Sequence, residues 1–101
     1  MQMNLEKLED KVRNKLNITW DDLETKSRVK DMIEDSINIL NFKIGCSDID
    51  YVKPGIERTL FLNYCLYSWN NCVNEFDKDY MNEIYQARAK YGVNKNEKEE
   101  V

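Results

Sequence analysis

The stretch IERTLFLNYCLYSWNNCV, from Ile56 to Val73, constrains this chain more than any other. Wound at about 3.6 residues per turn, it spreads Leu60, Phe61, Leu62, Tyr64, Leu66, Tyr67 and Trp69 around its circumference and leaves almost no polar face. Such a helix must be enclosed. Three other helices can wrap it, or another subunit can cover part of it, and the expectation is both together. The preceding CSDIDYVKPG holds too many turn formers to be helical. Pro54 suits a first turn, so this helix is predicted over residues 54 to 74.

Three further periodic stretches supply the wrapping. Leu5, Leu8, Val12 and Leu16 recur at three- and four-residue steps and predict a short amphipathic helix over residues 3 to 15. NITWDDLE then reads as a helix start. Thr19 is the expected N-cap, Asp22 the third-position acid, and Ile18 and Leu23 the hydrophobic staple. Val29, Ile33, Ile37, Leu40 and Ile44 keep one face of this second helix apolar from about residue 20 to 44, and Gly45 offers a left-handed cap. The fourth helix is expected to start at Asp77 as N-cap, flanked by Phe76 and Met81. Tyr80, Ile84, Ala87 and Tyr91 form its stripe, and Gly92 ends it. The fold class is therefore all-α: a single four-helix domain over residues 1 to 93, followed by a flexible polar tail, 94 to 101, reading NKNEKEEV after Val93.

Composition bears on chemistry mainly by exclusion. A formal charge of −4 argues against a standing contact with a phosphate backbone, which needs concentrated basic surface. Arg88 and Lys90, in QARAKYG, could pair with phosphates beside Tyr85 and Tyr91, but two cations in a last turn more simply complement the negative end of their own helix. With no histidine and three glycines, the common routes to acid-base, nucleophilic and nucleotide-dependent catalysis lack their residues. The expectation is no enzyme, no catalytic residue and no cofactor.

The acid pairs Asp21 with Asp22, Asp48 with Asp50, and Asp77 with Asp79 read as helix-start and turn residues rather than a metal site. Cys46, Cys65 and Cys72 form no CxxC pair and are expected as reduced, partly buried thiols. No apolar run is long enough for a membrane span and the N-terminus lacks a signal-type apolar stretch, so synthesis and retention in the cytoplasm are expected.

Taken in order, the landmarks resemble a known family. A short helix ending in KLNITWDD, a long helix running to a glycine, an acidic turn with Pro54, the aromatic LFLNYCLYSWNN and the closing EIYQARAKYG are similar to the small head-tail connector (adaptor) proteins of tailed bacteriophages and prophages, also known as putative phage DNA packaging proteins. The resemblance covers residues 5 to 93.

It implies an all-helical structural protein of the virion, made in the host bacterial cytoplasm. About a dozen copies would form an oligomeric ring beneath the portal, extend the DNA channel and help retain packaged DNA. Implied partners are the portal, further neck or tail-completion proteins and other copies of itself, with a monomer as the free form; DNA is passing cargo. Tyr67 and Trp69 on the third helix and Tyr85, Arg88 and Tyr91 on the fourth are the expected subunit or portal interface, and the tail is expected to order on meeting a neighbour. The alternative is a small helical nucleic-acid-binding or DNA-packaging accessory protein.

Overall fold

The computed structural model describes residues 3 to 92; the expected tail lies outside them. Four α-helices follow one another: α1 Leu5–Leu16, α2 Leu23–Ile44, α3 Ile56–Trp69 and α4 Phe76–Lys90. A 3-10 turn, Val73–Glu75, leads into α4, and no strand occurs among the described residues. The four-helix, all-α expectation holds.

Each helix end has a local cause. Asn4 opens α1 by accepting the Lys7 amide at 3.1 Å, and Asn17 closes it in the left-handed conformation, φ 58°. The α2 N-cap is Asp22, not Thr19, and the helix starts at Leu23 rather than near residue 20. The Asp22 carboxylate accepts the Thr25 amide on one oxygen, at 3.0 Å, and the Thr25 hydroxyl on the other, at 2.9 Å, and these charge-assisted bonds are stronger than a neutral Thr19 hydroxyl would make. The staple fails with it, since Ile18 is buried but Leu23 is 85% exposed. Gly45, at φ 87°, ends α2 as expected.

In the connection to α3, Tyr51 stacks on Phe61 with centroids 5.0 Å apart and donates its hydroxyl to Asn41 Oδ1 at 2.8 Å. Asp50 accepts the Val52 amide, the turn role expected of it. Helix α3 begins two residues after Pro54 and stops at Trp69. There Asn71, at φ 59°, takes the left-handed position and the Cys72 amide reaches back to the Tyr67 carbonyl, shortening the expected 54–74 span. Asp77 does not cap α4. Glu75 precedes the helix without a side-chain cap bond, and non-helical backbone at Tyr80 kinks it.

Helix α3 lies at the centre and touches α1, α2 and α4. Of its 14 residues only Thr59 is exposed, so its own chain does most of the enclosing. Leu60, Phe61 and Cys65 meet Leu8 and Val12 of α1, Val29, Leu40 and Ile44 of α2, and Ile84 and Ala87 of α4 in one core. Phe76 is fully buried in an aromatic knot. Tyr64 and Tyr67 approach it edge-on at 4.9 and 5.6 Å, and Tyr80 stacks on it at 4.9 Å.

Candidate functional site

The C-terminal turns of α2 and the length of α4 leave an open groove of about 600 Å³ between them. Gly45 turns the chain away just after Phe42 and Lys43, which form one wall. Asp77, Met81, Ile84, Tyr85 and Arg88 recur at helical spacing and form the other. The surface is apolar and wet: Phe42 is 85% exposed, Tyr85 56% and Met81 47%.

Two polar contacts fix the walls relative to each other. Lys43 Nζ pairs with both carboxylate oxygens of Asp77, at 2.8 and 2.9 Å, across 34 residues of sequence. Arg88 Nη1 donates to the Lys43 carbonyl at 3.0 Å, where α2 has run out of its own amide donors. Arg88 thus serves the end of α2 rather than only the end of its own helix. With Lys78 on the same lining, the groove carries three cations against one carboxylate, on a chain of net charge −4.

Of the five residues singled out in the sequence, this groove brings together Tyr85 and Arg88. The others face their own chain. Tyr67 donates its hydroxyl to Asp79 at 2.7 Å, a bond that, with burial, pushes the phenol up to about 12. Trp69 has the Arg28 guanidinium 4.6 Å above its ring. Tyr91 donates to Glu57 Oε2 at 2.7 Å, and burial followed by that carboxylate pushes its phenol up. All three remain half-buried.

Phe42, Lys43 and Lys78 were not singled out in the sequence, and Met81 was expected only as a helix-start staple residue. Phe42 had a signal: it is an aromatic off the Ile33, Ile37, Leu40, Ile44 stripe of an otherwise amphipathic helix.

A second exposed apolar corner lies at the other end of α2. Trp20 is 53% exposed and donates its indole N–H to Thr25 Oγ1 at 2.8 Å, while its carbonyl accepts from Arg13. Leu23 stands beside it among Asp21, Asp22 and Glu24, all exposed. Asp21 pairs loosely with Arg13 at 3.7 Å and Lys26 at 3.6 Å.

Among the described residues no three metal-ligand side chains cluster, and no helix is long and apolar enough to cross a membrane. The groove's carboxylate is already paired with Lys43, so what the groove offers is apolar contact edged by cations. No family model, no curated protein and no solved structure matches the chain.

Proposed function

We propose that this chain is a structural subunit of the head-tail junction of a tailed phage or prophage, a connector that assembles as a ring beneath the portal. The ring extends the channel through which DNA passes and helps retain the packaged genome; the subunit is not a catalyst. The observation that carries this reading is the exposed apolar groove holding Phe42, Met81 and Tyr85 on an acidic chain. Contiguous apolar surface of this kind is what a protein contact buries. A phosphate contact would call for a concentrated basic surface, and the net charge is of the opposite sign.

The order of landmarks along the chain supports the same reading. A short helix, a long helix ending at Gly45, an enclosed aromatic helix and a closing helix ending in QARAKYG follow one another, the order on which the sequence resemblance to the connector proteins rests. A wall that does not bind DNA tightly lets the genome slide past it.

Negative-stain images of the protein alone and mixed with its portal test the proposal. Rings, alone at high concentration or on the portal, are the expected result. Duplex binding that falls steeply with salt, without rings in either sample, would replace it with the DNA-packaging accessory reading.

A further inference from the structure

The two ends of α2 carry exposed apolar side chains in opposite electrostatic settings. At its C-terminal end Phe42, Met81 and Tyr85 are edged by Lys43, Lys78 and Arg88. At its N-terminal end Trp20 and Leu23 sit among Asp21, Asp22 and Glu24, with Arg13 and Lys26 facing Asp21 and Asp22 capping Thr25, so that Glu24 is the acid left for a partner. An apolar knob with an acidic collar thus meets its complement, in character and in sign, on the same molecule.

We propose that the groove between α2 and α4 receives the Trp20 and Leu23 corner of a second copy of this chain. Leu23 of one copy seats against Phe42, Met81 and Tyr85 of the next. Glu24 reaches Lys78 on the groove's edge, while Asp21 stays with Arg13 and Lys26, Asp22 with its cap on Thr25 and Arg88 with the Lys43 carbonyl. Lys43 keeps Asp77, so the contact forms without breaking the pair that fixes the groove's walls.

The placement on α2 bears on the kind of assembly. Leu23 and Phe42 are separated by about 29 Å along the helix and about 100° around it. They do not share the single seam that a two-fold, antiparallel pairing of α2 helices requires. The contact proposed is head-to-tail, the groove and the knob of one chain engaging different neighbours. This deepens the reading above, and rests on it only for closure of the series into a ring.

The test uses two full-length variants at exposed positions, Leu23→Glu and Phe42→Glu, each first checked for unchanged helicity and melting. Leu23→Glu keeps an intact groove and Phe42→Glu an intact knob. Mixed at about 1 mM, where even a millimolar Kd leaves a measurable bound fraction, they are followed by amide chemical shifts with one partner isotope-labelled at a time. The expected result is a two-chain complex and nothing larger. Shift changes should gather around Phe42, Lys78, Met81 and Tyr85 when Leu23→Glu is labelled, and around Trp20 to Lys26 when Phe42→Glu is labelled. Neither variant alone should show them.

Adding Glu24→Lys to the knob chain should weaken the complex, and adding Lys78→Glu to the groove chain should restore it. No shift changes on mixing, or changes outside both patches, would overturn the proposal. The two readings also fail separately. Rings that persist in Leu23→Glu overturn this contact and leave the ring, whereas this contact without any closed ring overturns the ring and leaves the contact.

Discussion

The Tyr91 hydroxyl donates to Glu57 Oε2 at 2.7 Å, joining the last turn of α4 to the first turn of α3, and Lys90 Nζ meets the same oxygen at 2.8 Å. Burial pushes the Glu57 carboxyl up, but Lys90 and Tyr91, with its own backbone amide, outweigh burial and hold it below the ordinary value of 4.5. The folded protein thus binds this proton less readily than the unfolded chain does. The stability it contributes is complete above 4.5 and is lost as pH falls through the lower folded value.

From about pH 5 to about pH 3, the melting temperature of the parent should therefore fall more steeply than that of Glu57→Gln. Thermal melts across that range decide it. Parallel curves would mean that Glu57 makes no net contribution.

Asp22 and Thr19 make opposite predictions about where α2 begins. Asp22→Ala removes the acceptor for the Thr25 amide and hydroxyl and should lower the melting temperature by several degrees, whereas Asp22→Asn should lose less. Thr19→Ala, at an exposed position before the helix, should leave the melt unchanged.

Two phenylalanines separate the core from the groove. Phe76→Ala empties the centre of the aromatic knot and should cost about 3 to 5 kcal/mol in urea unfolding. Phe42→Ala, at an 85% exposed side chain, should stay within about 0.5 kcal/mol.

The thiols should react unequally. Burial pushes Cys65 up to about 12, only partly offset by the contact of its Sγ with the Ser36 hydroxyl at 3.7 Å. With iodoacetamide at about pH 8, Cys46 and Cys72, both half-buried, should be labelled in the native protein and Cys65 only on unfolding. Mass spectrometry of the labelled peptides gives the order.

Periodicity was enough to read the number, order and type of the helices, because the core positions of α1, α2 and α4 fall on single stripes such as Leu8 with Val12, or Ile84 with Ala87. Helix starts were harder. Thr19, Asp22 and Asp77 are all good N-cap residue types, and only the three-dimensional path decides among them. That path gives Asp22 to Thr25 and Asp77 to Lys43. Apolarity also carried the reading of α3 past its end, since nothing in the pattern distinguished Asn71 as the left-handed residue that stops it.

The groove was legible only in half. Tyr85 and Arg88 lie on one helix and could be found together, but Phe42 and Lys43 come from a helix more than 30 residues away, and local spacing does not encode that meeting. The same holds for Tyr91, whose aromatic ring drew attention as surface while its hydroxyl was spoken for by Glu57.

The enclosure of α3 has a consequence for how the protein behaves at different abundances. A central helix that excluded water only against a neighbouring copy would tie folding to concentration, as in obligate oligomers that lack a folded monomer. Here Glu57, Leu60, Phe61, Tyr64 and Cys65 of that helix are already buried within one chain, and only Thr59 is fully exposed, so the core does not depend on a second copy to exclude water. A chain built this way should melt at the same temperature whether dilute or concentrated, unlike an obligate oligomer.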